Sequence, residues 1–221
     1  MSGTLQASVV KDGASATNNL AMDASGNVTV GNNLTVNGTS SHTGNATFSG
    51  TITGSSTVAG ATGILYPLVS GTAQASTSGT AISFTSIPSW VKRVTLSFNG
   101  ISTSGTSGLI VQLGSSAGYA TGTYTGSATN GAGSVATSAF TTGHGLNGGP
   151  VAANAYYGTA TFTLVSGNTW VGSSVLGATG TPQFAVGGSA IVLAATFDRI
   201  QLTTVNGTDT FDAGSINILY E

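Results

Sequence analysis

The chain has 221 residues, of which 34 are glycine and none cysteine, and its four basic and six acidic side chains leave a net charge of −2. With no basic cluster to neutralise phosphates, nucleic acid is not an expected partner, and with no cysteine there is no disulfide framework. Intrinsic disorder combines low hydrophobicity with high charge, whereas this chain is 39% hydrophobic, 5% charged and has a mean hydropathy of +0.27.

No run reaches the ~18 apolar residues of a membrane helix, and the opening "MSGTLQASVVKDGASATNNL" has no apolar signal core, so neither membrane insertion nor secretion is expected. Residues 1–26 read as a segment of their own. From Val28 the chain falls into sixes: VTVGNN, LTVNGT, SSHTGN, ATFSGT, ITGSST, VAGATG. Val28, Leu34 and Ile52 begin their sixes, Val30, Val36, His42 and Phe48 stand third, and Gly38, Gly44 and Gly50 share the fifth place. Each six is a three-residue strand step, apolar–Thr–apolar in its clearest copies, followed by a Gly/Asn turn. The outer pair of each step points one way and the middle residue the other. Such a ladder cannot bury its apolar edge alone, because repeat units gain stability by stacking on neighbours. Residues 27–66 are therefore expected to form a β shaft wound from three chains, with Val28, Val30, Leu34, Val36, His42, Phe48 and Ile52 on its axis. A left-handed β-helix within one chain, as hexapeptides build in sugar acyltransferases, ranks lower, since this stretch gives only about two coils. His42 on the apolar parity suggests either a ring of three histidines around an ion or a polar layer that sets register.

Residues 67–80, "PLVSGTAQASTSGT", have no strong period and read as a neck. Beyond them, 81–221 changes to ordinary alternation. Val94, Leu96 and Phe98 share one face, as do Leu109, Val111 and Leu113; so do Ala160, Phe162 and Leu164, then Ile200 and Leu202, then Ile216, Ile218 and Tyr220. Strict alternation between Gly, Ser and Asn clusters marks half-buried antiparallel strands. No stretch reads as a helix. The fold expected is all-β, a trimeric hexad shaft followed by an antiparallel β-sandwich of jelly-roll type with about eight short strands. Two Gly-rich stretches, 114–134 and 141–158, read as long loops. They carry Tyr119, Tyr124, Tyr156 and Tyr157, and tyrosine among Ser, Gly and Asn suits adaptable contact surfaces or stacking on sugar rings. His144, in "TTGHGLNGG", is expected to be solvated and joins these candidate contact residues. The opposing expectation is that the tyrosines pack against their own sandwich or a sister chain.

The opening "MSGTLQASVVKDGASATNNLAMDASGNVTVGNNLTVNG" resembles the start of bacteriophage fibre proteins. "IPSWVKRVTLSFNGISTSG" is similar to the first strand of their tip domains, and "FDRIQLTTVNGTDTFDAGSINILYE" resembles their C-terminal strands. The resemblance implies a homotrimer made in the bacterial host cytoplasm and carried in the virion. Residues 1–26 would bind other virion proteins, and the C-terminal tip would face a host-surface glycan. The chain is short for a long receptor-binding fibre, which points to a short tail fibre or a capsid fibre. The alternatives are a capsid or tail decoration or connector protein without receptor binding, and a polysaccharide-degrading or hexapeptide-repeat enzyme.

Signals for catalysis are sparse. The chain has two histidines far apart, no cysteine and no G-x-S-x-G elbow. Asp209 and Asp212, in "NGTDTFDAGS", are the close carboxylate pair, and in a turn such residues more often cap backbone N–H groups than flank a glycosidic bond or hold calcium. No enzyme activity, cofactor or metal is expected. Asp198 and Arg199 are expected to pair with Lys92 or Arg93.

Overall fold

The computed structural model describes residues 9–10, 20–22, 25, 27–30, 59–60, 63–64, 68–132, 134–147, 152, 154–180 and 182–221. They fall into two compact units, Met1–Ser56 and Thr57–Glu221. The described residues contain strands, turns and bends but no helix.

In the first unit, β1 (Val9–Val10), β2 (Leu20–Met22) and β3 (Val28–Val30) form a small antiparallel sheet in that order. The strand step of the first hexad is thus present as β3. It pairs within its own chain, Leu20 opposite Val30 and Met22 opposite Val28, and Val28 stays 56% exposed. Leu34, Val36, His42, Phe48 and Ile52, the rest of the expected shaft axis, lie outside the described residues.

The second unit begins with β4 (Ala59–Gly60) and β5 (Gly63–Ile64), an antiparallel pair spanning the last hexad and the Ile64 that follows it. Then come β6 (Val69–Ser70), β7 (Gln74–Ala75), β8 (Ala81–Phe84), β9 (Arg93–Thr103), β10 (Leu109–Ser115), β11 (Gly118–Tyr119) and β12 (Thr125–Ala132). They are followed by β13 (Ser134–Ala139), β14 (His144–Gly145), β15 (Ala155–Ser166), β16 (Thr169–Thr179), β17 (Gln183–Val192), β18 (Phe197–Thr204) and β19 (Phe211–Tyr220). Two antiparallel sheets result. The larger runs β13-β12-β17-β16-β15-β9-β19-β6, with β7 also on β19; the smaller runs β11-β10-β18-β8, with β14 also on β10.

The five alternating segments are strands with the expected faces inward. Val94, Leu96, Phe98, Leu109, Val111, Leu113, Ala160, Phe162, Ile200, Leu202, Ile216 and Ile218 are buried in one cluster drawn from both sheets, with Leu164 and Tyr220 packed at its margin. Burial of such side chains is the main force holding the sheets together, about 1.5–3 kcal/mol for each large one.

Several features differ from the sequence reading. Residues 69–75, expected in a neck, supply β6 and β7 along β19. Much of 114–134, expected to be loop, is strand. The sheets hold nine and five strands, well above the expected eight. β15, β16 and β17 also follow one another as a meander inside the larger sheet, a departure from the strict alternation of a jelly roll of two four-stranded sheets. The common cause is composition: "TGSATNGA" and "TWVGSSVLGAT" form strands from Gly, Ser and Thr, which read as turns when long-range pairing is not known.

Register gives this sandwich two distinct ends. Val69 lies opposite Tyr220 and Val94 pairs with Tyr220, so the chain enters where β9 starts and β19 finishes. The opposite end carries the turns 104–108 and 205–210. At Gly100 (φ +69°) and Gly214 (φ +93°) adjacent strands bulge, and a Cβ on Gly214 would lie 2.3 Å from the Gly100 carbonyl oxygen. The bulge turns the inward parity of β9 from Phe98 to Ile101 and Thr103. Gly214→Ala should therefore cost at least about 1–2 kcal/mol in urea unfolding. Gly177→Ala, where nothing lies within 4 Å of the new Cβ, should leave the midpoint unchanged or slightly raised.

Candidate functional site

The candidate site grows out of β10. All seven residues from Leu109 to Ser115 are buried, so both faces of the strand need cover. Leu109, Val111 and Leu113 enter the main core, whereas Ile110 packs separately with Ala128 of β12 and with Phe140. The segment 140–147 that supplies this cover is held by main-chain bonds. Phe140 N–H donates to Gly126 O (3.0 Å), Tyr124 N–H to Thr141 O (3.2 Å) and Leu146 N–H to Leu109 O (2.9 Å), and Gln112 Nε2 donates to Thr142 O (2.8 Å). A Cβ on Gly145 would lie 2.2 Å from the Phe140 ring, so this position must be small for the aromatic ring to seat.

That cover places His144 in the core rather than in solvent. β14 pairs with β10, His144 opposite Val111, and the imidazole is fully buried. Its Nδ1 lies 2.8 Å from Ser189 Oγ and its Nε2 3.0 Å from Ser174 Oγ, with the Phe162 ring edge-on at 5.1 Å. In the neutral ring one nitrogen donates and the other accepts, so one serine gives its hydrogen to the ring and the other receives the ring's. Burial pushes the His144 pKa down from 6.5 to about 4, because the charged form is poorly solvated there.

The four tyrosines divide. Tyr124 is buried, its hydroxyl accepts the Leu113 N–H at 2.7 Å, and burial raises its pKa above the ordinary range. Tyr156 is buried beneath Gln183, whose Nε2 donates to its hydroxyl at 3.4 Å. These two are core residues, not contact residues. Tyr119 is half-buried on β11, and Tyr157 is exposed at 44%. Of the five candidates, His144, Tyr124 and Tyr156 are thus buried, and Tyr119 and Tyr157 are the two with exposed surface.

Beside the covering segment, a groove of about 490 Å³ is bounded by Thr106, Ser107 and Gly108, by residues 138–142, and by Asn147 and Val205. Asn147 is fully buried; its Oδ1 accepts the Leu109 N–H at 3.0 Å, while its Nδ2 has no partner. At the rim, Asp209 accepts from Asn206 Nδ2 (2.6 Å) and from Ser107 N–H (2.9 Å). These bonds, the Asn206 amide foremost, hold its pKa below the ordinary carboxylate value. Asp209 is thus a turn cap, and Asp212 is exposed.

Among the described residues no three His, Asp or Glu side chains cluster as metal ligands. Lys92, Arg93 and Arg199 all sit toward the end where the chain enters. Arg93 pairs with Glu221 and Arg199 with its neighbour Asp198 at 2.7 Å, rather than Asp198 reaching Lys92 or Arg93. The groove is left lined by uncharged groups. Its turn was signalled by "NGTD", since Asn and Asp bond to nearby backbone, and Asn206 Oδ1 does accept the Thr208 N–H at 3.0 Å. Asn147, Ser174 and Ser189 had no local signal. No protein-family model, curated protein or solved structure matches the chain.

The His144 arrangement sets a pH dependence. The unfolded chain binds the proton below pH 6.5, whereas the folded chain binds it only near 4. Stability should be complete above pH 6.5 and fall as pH drops toward 4, by up to about 3 kcal/mol. Asp209, with an ordinary value of 3.8, loses its contribution only at lower pH. Urea midpoints across this window should slope for the wild type and be much flatter for His144→Gln.

Proposed function

We propose that this chain is a structural subunit of a bacteriophage virion fibre, a homotrimer with residues 1–26 joined to other virion proteins. Three copies wind the hexads into a shaft, and the C-terminal sandwich acts as the tip of a short tail fibre that adheres to a host-surface glycan. The observation that carries this reading is the order along the chain. An uncharged six-residue strand ladder, which needs neighbours to bury its edge, leads into a sandwich entered at one end and presenting hydroxyl-rich turns at the other. The resemblance of both ends of the chain to phage fibre proteins supports it. Adhesion would come from hydrogen bonds and apolar contact, multiplied by three identical tips.

A second reading, a decoration or connector protein of capsid or tail, has one observation in its favour. On β16 and β17 the side chains Val171 (41%), Val175 (62%), Phe184 (55%) and Val186 (38%) are exposed. Val175 sits directly opposite Val186, so they form an apolar, uncharged surface of the kind proteins cover with one another.

Sedimentation of the full-length protein at low concentration should give the mass of three chains; a well-folded monomer would overturn the fibre reading. The soluble protein should also compete with virions for cells, with an affinity that changes little from low to moderate salt, because few charges are involved. A trimer that never competes would favour the decoration reading. Release of reducing ends from host polysaccharide would instead point to an enzyme.

A further inference from the structure

We propose that the groove between residues 106–108 and 138–142 is a binding site for a neutral saccharide, with Asn147 Nδ2 as its hydrogen-bond donor. The inference rests on the adhesive-tip reading and says where the adhesion takes place.

The first argument is the unpartnered donor. A buried amide N–H without an acceptor costs about 1–3 kcal/mol, and such groups are rare enough in native proteins that each calls for a reason. The Asn147 side chain is held by its other half, since Oδ1 takes the Leu109 N–H and so continues the pairing that Leu146 N–H makes with Leu109 O. The amide cannot turn round without leaving that backbone N–H unsatisfied. Nδ2 is therefore fixed as a buried, unpartnered donor on a residue that lines the groove, and a hydrogen bond made there, away from bulk water, is stronger than one at the rim.

The second argument is the chemistry of the lining. Thr106, Ser107, Thr141 and Thr142 bring hydroxyls, while Gly108, Phe140 and Val205 bring apolar surface. Ser107 Oγ accepts the Asn206 N–H at 3.0 Å, which leaves its own hydrogen to donate. No charged side chain lines the groove, and the Asp209 carboxylate at its rim is already bonded to Asn206 and Ser107, so an anionic ligand would lose its hydration without gaining a counter-charge. A ligand with many hydroxyls, an apolar ring face and no charge meets all three conditions, and that is a neutral sugar. The volume of about 490 Å³ falls in the ~300–1,000 Å³ range of small-molecule sites.

The test uses saturation-transfer NMR on the full-length protein with the methyl glycosides of glucose, galactose and N-acetylglucosamine, and with sialic acid as a charged control. Two variants locate the site. Asn147→Asp keeps the acceptor for Leu109 N–H and removes the donor. Val205→Trp fills the groove from a position already 49% exposed, and its circular dichroism and melting temperature should match the wild type. The expected result is transfer to at least one neutral glycoside, none to sialic acid, and a loss of affinity of about tenfold or more in each variant, equivalent to about one hydrogen bond. Transfer to none of the neutral glycosides, or transfer undiminished in the Val205→Trp protein, overturns the proposal. Should Asn147→Asp fail to fold, Val205→Trp decides alone. A trimeric fibre that binds no sugar sinks this inference and leaves the fibre reading standing, whereas a monomer that binds sugar in the groove does the reverse.

Discussion

The tip is organised by the need to cover a strand that is buried on both faces. Leu109, Val111 and Leu113 of β10 hold the two sheets together, but Ile110 between them would stand in water without a second layer. Residues 140–147 provide that layer, and nearly everything chemically distinctive in the described sandwich follows from it. Phe140 seats beside Ile110, His144 is carried into the core, and Asn147 is brought against the Leu109 amide. The glycines of this region allow the close approach. A Cβ on Gly187 would lie 2.2 Å from the Gly145 carbonyl oxygen, and one on Gly172 3.0 Å from His144 Nδ1.

Legibility in the sequence followed the presence of large apolar side chains. Alternation over Val94–Phe98, Leu109–Leu113 and Ile216–Tyr220 marks both strand and inward face, because a period of two has no other physical source. The same logic fails for β12, β16 and β17. There the inward places include Gly172, Ser174, Gly187 and Ser189, which are small because β14 and the His144 ring pack against them. Their smallness is a long-range property, and locally it looks like a turn. His144 shows the same limit: its neighbours Gly143 and Gly145 suggest a loop, and only pairing with Val111 takes it inside. The tyrosines separate for a similar reason. Tyr124 and Tyr156 are buried and have partners for their hydroxyls, whereas Tyr157 rests its ring over Gly100 and stays exposed.

A protein so poor in charge must satisfy its polar groups by hydrogen bonds rather than ion pairs. The sandwich does so with short side chains that bond to backbone or to each other, as Ser76 Oγ does to Ala213 O at 2.8 Å and Gln201 Nε2 to Gln112 Oε1 at 2.7 Å. Against that background an amide with one half used and one half idle is an exception. Lys92, Arg93 and Arg199 sit where the chain enters, whereas the groove at the other end is lined by uncharged, hydroxyl-rich side chains, with Asp209 at its rim held in turn bonds. That is a surface suited to recognition by hydrogen bonding and shape rather than by field.

Native-state hydrogen exchange at the amides of Leu109 and Leu146 tests most directly whether 140–147 truly closes over β10. If it does, both amides exchange only as fast as the whole sandwich unfolds, since their acceptors are Asn147 Oδ1 and Leu109 O. Exchange at the rate of an open loop, with the rest of β10 still protected, would contradict the account and remove the basis for both the buried histidine and the groove.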